Sequence, residues 1–154
     1  MLADSRLVPN YFDKEELQMD FSSSIAAFNV WAVFGAAFSS FVLGGIWYGP
    51  IFGRAWMAAF NFTEEDLAKR PAARTFGLSF LLALLAAANL ELFIGAQANW
   101  VFGATAGFFA GFGWVAAFLG ILFLFEMRRL SAYLIDAGYC IVCLTVMGVL
   151  LGAY

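Results

Sequence analysis

Four long apolar runs, set apart by polar segments, dominate the chain. They cover about 25–48, 75–98, 100–125 and 132–154. The first is interrupted by Asn29, Ser39 and Ser40, and the second by Asn89 and Glu91. The third holds Thr105 and Trp114, and the fourth Asp136 and Thr145. Each run reaches the roughly 20 residues that a bilayer core requires of a helix. The runs are continuous rather than alternating, which excludes barrel strands, and backbone polar groups in lipid must pair within the segment. The pattern therefore predicts an all-α integral membrane four-helix bundle, 25–154, behind a short extramembrane N-terminal tail, 1–24.

The connections differ in kind. Little more than Asn99 separates the second and third runs, so they form a tight hairpin; 126–131 joins the third to the fourth. The one sizeable loop is 49–74. Within it Phe52, Trp56, Met57 and Phe60 recur at helical spacing, which predicts a short helix lying in the interface. Thr63 and Asp66 have capping-box spacing, with acids at the start, Lys69 and Arg70 at the end, and Pro71 as a stop. In the tail, Pro9-Asn10 signals a turn, and Asp13 with Glu16 permits a short helix from about Lys14; a frayed terminus fits equally. The charged start argues against a cleaved signal peptide and makes the first run an uncleaved, outward-facing anchor.

Composition agrees with the pattern. The chain is 64% apolar and 12% charged, with 19 Phe and a mean hydropathy of +0.85; a soluble domain averages about 25% charged residues. Eight Lys/Arg against eleven Asp/Glu give a net charge of −3. No basic stripe exists to grip nucleic acid, so none is expected as a partner. The absence of His removes imidazole catalysis and ligation, and no metal site or cofactor is expected. Charge also orients the bundle. Arg54, Lys69, Arg70 and Arg74 share a side with Arg128 and Arg129, whereas Arg6 and Lys14 lie in the tail. The loops are thus expected in the cytoplasm and both termini in the periplasm.

Few side chains in the runs could carry chemistry. Glu91 lies in the outer part of the membrane, flanked by Ala87, Ala88 and Gly95 on its own helix face. It reads either as a proton or cation site or as a hydrogen-bonded packing acid. Asp136 lies near the inner surface, where a salt-bridge anchor to Arg128, Arg129, Arg54 or Arg74 is expected; Glu126, Arg128 and Arg129 are further salt-bridge candidates. Cys140 and Cys143 share a face within hydrocarbon and read as small buried residues rather than a redox pair. Gly103, Gly107 and Gly111, with Gly148 and Gly152, repeat every fourth residue and predict close helix packing, within the chain or between subunits. Trp47, Tyr48, Pro50, Arg54 and Trp56 form an elbow at the membrane surface, a structural turn or a lipid-headgroup site.

Four blocks occur in order: Trp47-Tyr48-Gly49-Pro50-Ile51-Phe52-Gly53-Arg54-Ala55-Trp56-Met57, Leu124-Phe125-Glu126, Leu134-Ile135-Asp136-Ala137-Gly138-Tyr139 and Val146-Met147-Gly148. Together they resemble a bacterial family of small four-span inner-membrane proteins of unknown function. The resemblance implies the four-helix fold but no activity and no catalytic residue. It also implies two departures, Asp136 where Asn is usual and Cys140 where His is common. The expected function is non-enzymatic: a structural or accessory subunit packed through its glycine faces against copies of itself or a larger membrane complex, in contact with the lipid bilayer. The alternative is a small oligomeric proton-linked transporter or channel using Glu91.

Overall fold

The computed structural model describes residues 22, 25–26, 28–95 and 99–154. Among the described residues the bundle has six helices: α1 (Val30–Ile51), α2 (Gly53–Phe60), α3 (Glu64–Ala68), α4 (Ala72–Ile94), α5 (Trp100–Phe125) and α6 (Leu130–Leu151). α1, α4, α5 and α6 have 22, 23, 26 and 22 residues and are long and apolar enough to cross a membrane. The expected tail helix near Lys14 lies outside the described residues.

Local chemistry sets the helix ends. α1 begins at Val30 rather than near Ile25 because Asn29 caps it, its Oδ1 accepting from the backbone N–H groups of Trp31 and Ala32, both at 3.1 Å. α5 begins in the same way, with Asn99 Oδ1 accepting from Val101 and Phe102 at 3.0 Å. α4 starts three residues earlier than the apolar run, directly after Pro71, and ends at Gly95 with φ 73°. Two π-helical turns interrupt the long helices, Trp47–Ile51 at the end of α1 and Ala110–Ala116 inside α5. The first contains Pro50, which has no N–H to give; Phe52 N–H instead reaches back to the Trp47 carbonyl at 2.8 Å. In the loop, α2 ends on Asn61 in the left-handed region at φ 56°. Thr63 and Asp66 close the expected capping box, through the Asp66 N–H to Thr63 Oγ1 at 3.2 Å and the Thr63 N–H to Asp66 Oδ2 at 3.0 Å.

α6 is the central helix, packing along α5, against α1 and onto α4. Its contact with α5 is backbone against backbone. A Cβ on Gly103 would strike the carbonyl of Gly148, one on Gly107 that of Leu144, and one on Gly111 would come within 2.8 Å of the Ile141 Cα. Gly148 and Gly152 meet Gly103 and Asn99 from the other side. The main core gathers Ala36 and Ala37 of α1, Ala87 and Leu90 of α4, and Cys143 and Met147 of α6. α4 joins it by its second half alone. Every residue from Ala72 to Ser79 is exposed, including Ala72, Ala73 and Gly77, so the first two turns of α4 pack loosely at the loop end. Between 17% and 33% of each span is buried within the chain, and α5 turns Phe108, Phe112, Trp114 and Phe118 outward.

Candidate functional site at the loop end of the bundle

The π-helical turn and Pro50 end α1 and let the chain reverse into α2. The reversal is tight: a Cβ on Gly53 would lie 2.6 Å from the Tyr48 carbonyl oxygen. This brings Trp56, one turn into α2, beside Tyr48, with ring centroids 5.4 Å apart. Both then converge on α6. Tyr48 Oη donates to Asp136 Oδ1 at 3.0 Å, and Trp56 Nε1 donates to the same oxygen at 3.1 Å. Trp47 Nε1 donates to the Ile135 carbonyl at 3.1 Å, in space left by Gly138, where a Cβ would meet the Trp47 ring at 3.2 Å. Tyr139, one turn beyond Asp136, packs its ring 5.1 Å from Tyr48 and donates to the Ser40 carbonyl at 3.0 Å.

Among the described residues, cations surround this cluster without pairing with its acid. Arg70 lies over the rings of Trp56 and Phe62, at 5.4 and 5.0 Å. Arg128 lies over Phe60 and Phe123, 5.4 Å from each, and pairs with Glu126. Arg129 Nη1 donates to the Ala58 carbonyl at 3.1 Å, and Arg54 is exposed. The expected salt-bridge anchor at Asp136 is therefore corrected: among the described residues the ion pair is Glu126–Arg128, and Asp136 is held by two neutral donors. The reason is that Arg128 is already claimed by Glu126 and by two aromatic faces. The structure brings together Trp47, Tyr48, Trp56 and Asp136 from the sequence-read candidates. Arg70, Phe62 and Tyr139 join them without having been singled out; the Ala-Gly-Tyr block was the available signal for Tyr139.

Glu91 lies at the opposite end, three residues before the end of α4. Its Oε1 accepts from the backbone N–H of Asn29 at 3.3 Å, which sets a carboxylate at the N-terminus of α1, where the helix dipole favours negative charge. Cys140 and Cys143 are free thiols, half-buried and buried. The glycine faces, expected to serve packing against copies or a larger complex, are taken up by α5 against α6 within the chain. Among the described residues no group of three or more His, Cys, Asp or Glu stands close enough to hold a metal ion.

Four apolar helices crossing in alternate directions, with an aromatic cluster at one end, define a multi-pass membrane protein of the all-α bundle class. Within that class the chain belongs to DUF1761, a family of proteins of unknown function, whose model matches residues 31–152. No curated protein and no solved structure matches it.

Proposed function

We propose that this protein is a non-enzymatic scaffold of the bacterial inner membrane, an accessory subunit that associates with copies of itself or with a larger membrane complex. Its loops face the cytoplasm and its termini the periplasm. The observation that carries this reading is the use made of the two intramembrane acids. Glu91 ties the end of α4 to the start of α1, and Asp136 ties the end of α1 and α2 to α6. Acids engaged in joining helix ends suit a fixed frame. The six Lys/Arg of the two loops support the orientation. With the glycine faces used internally, association falls to the outward aromatic side chains of α5, Phe108, Phe112, Trp114 and Phe118.

Extraction in native-membrane nanodiscs followed by cross-linking tests the proposal. A cross-linked species that disappears when Phe112 and Phe118 are changed to Ala is expected. A lone monomer, together with normal growth after deletion of the gene, would overturn it. The competing transport reading rests on the depth of Glu91 alone. Proton flux in liposomes that is lost in Glu91→Gln would select that reading instead.

A further inference from the structure

We infer that Asp136, Trp56 and Arg70 form a binding site for the zwitterionic headgroup of an aminophospholipid, the ammonium going to Asp136 and the phosphate to Arg70. Asp136 is a half-buried acid near the membrane surface, and among the described residues it has no ion-pair partner. A carboxylate removed from water is costly unless a cation and hydrogen bonds compensate it. Here the hydrogen bonds are present, but among the described residues no cation stands within ion-pair distance, and Arg128, the neighbouring charge, is paired with Glu126.

The open position is specific. Tyr48 and Trp56 both donate to Oδ1, and Oδ2 receives nothing from the described residues. Nor is Oδ2 sealed in, since among the described residues no buried side-chain oxygen or nitrogen lacks a partner. One carboxylate oxygen is fixed and the other, unpaired among the described residues and not fully enclosed, lies beside aromatic rings, an arrangement that accepts a donating cation.

Arg70 supplies the other pole. It is exposed, lies on the Trp56 ring that donates to Asp136, and immediately precedes Pro71 and α4. Cation, indole and carboxylate thus follow one another at the membrane surface, in the order that the phosphate and ammonium of one headgroup would require. Space for the rest of the lipid lies alongside, because every residue in the first two turns of α4 is exposed. Chemistry also chooses the amine. A quaternary ammonium needs free aromatic faces, but Arg70 already covers that of Trp56; an N–H donor suits the open Oδ2.

Native mass spectrometry of the full chain tests the site, using detergent micelles with equal phosphatidylethanolamine, phosphatidylcholine and phosphatidylglycerol. The intact protein should retain phosphatidylethanolamine about tenfold over phosphatidylcholine, the scale of one charged hydrogen bond. Asp136→Asn, which keeps an acceptor oxygen for Tyr48 and Trp56, should bring that ratio to within about twofold. Arg70→Gln should lower retention of all three lipids and leave the ratio intact. Should Asp136→Asn fail to fold, the unaltered protein decides: retention should fall stepwise across the mono-, di- and trimethylated amines. Equal retention of the methylated and unmethylated lipids, or a preference that survives Asp136→Asn, overturns the inference. Displacement of the lipid by soluble phosphoethanolamine at equal concentration would reassign the site to a free amine and overturn the lipid assignment.

Discussion

Gly103 of α5 and Gly148 of α6 meet backbone to backbone, each placed so that a Cβ on either would collide with the carbonyl oxygen of the other. The contact leaves no room for a side chain, and backbone cannot swing aside as a flexible side chain can. Gly103→Ala should therefore destabilise the bundle by about 1–3 kcal/mol, the usual cost of overpacking. Gly77→Ala provides the contrast. Gly77 lies on the exposed first half of α4 with nothing within 4 Å of its would-be Cβ, so the change should be neutral or stabilise by about 0.5–1 kcal/mol. Reversible unfolding in mixed micelles measures both, and equal effects would refute the packing argument.

Trp56 makes its tie to α6 with a single indole N–H. Trp56→Phe keeps an aromatic ring beside Tyr48 but removes that donor, and should cost about 1 kcal/mol, the net worth of one hydrogen bond. Tyr48→Phe removes the second donor to the same oxygen and should cost a similar amount. Asp136→Leu removes the acceptor and leaves both donors without it, so it should cost more than either, about 2–3 kcal/mol. The ordering of the three variants in the same unfolding assay is the check. A leucine variant as stable as the parent would mean that these bonds contribute nothing to holding α2 against α6.

Much of the bundle was legible because lipid imposes a simple rule. The third span, 100–125, is found where the apolar run places it, since Asn99 is both the polar break and the cap. The first span starts later than its run does, because Asn29 caps a helix from within apolar surroundings. The glycine spacing announced a close contact, but a repeat on one helix does not say which helix receives it. The loop-end cluster was half legible. Trp47, Tyr48 and Trp56 stand close together in the chain as interfacial aromatics, and Asp136 stands out as an acid within a span. Their meeting was hidden, because the hydrogen bonds from Tyr48 and Trp56 to Asp136 span 88 and 80 positions. Charge suggested a salt bridge at Asp136; rings that attract the nearby guanidinium groups drew those cations elsewhere.

Glu91 and Asn29 test the opposite end. Asn29→Ala removes the side-chain cap of α1 and should cost about 1 kcal/mol. Glu91→Leu removes the acceptor of the Asn29 backbone N–H and should cost about 1–2 kcal/mol. Glu91→Gln retains an acceptor oxygen and should lie close to the parent. Because Glu91 binds the backbone and not the side chain of Asn29, the cost of Glu91→Leu should persist in the Asn29→Ala background. If Glu91→Leu were harmless there, the two residues would be acting through one bond that this geometry does not contain.

The loop capping box should respond to acid. Asp66 accepts from the Thr63 hydroxyl at 2.7 Å and from its N–H at 3.0 Å. These two bonds hold its carboxyl below the ordinary carboxylate range. A carboxyl lowered in the folded state binds its proton more readily once the helix is lost. The stabilisation is then fully present above the unfolded value, about 3.9, and disappears as the pH falls through the lower folded value. Between pH 7 and pH 5 the box should be unaffected. Below about pH 4, the start of α3 should loosen while the spans remain intact. Carboxyl carbon shifts of Asp66, with amide exchange over Glu64–Ala68, follow both events in micelles. Thr63→Ala should return the Asp66 titration towards the ordinary value and remove the pH dependence of exchange. If Asp66 titrates at or above that ordinary value in the unaltered protein, the capping box does not hold the loop in solution.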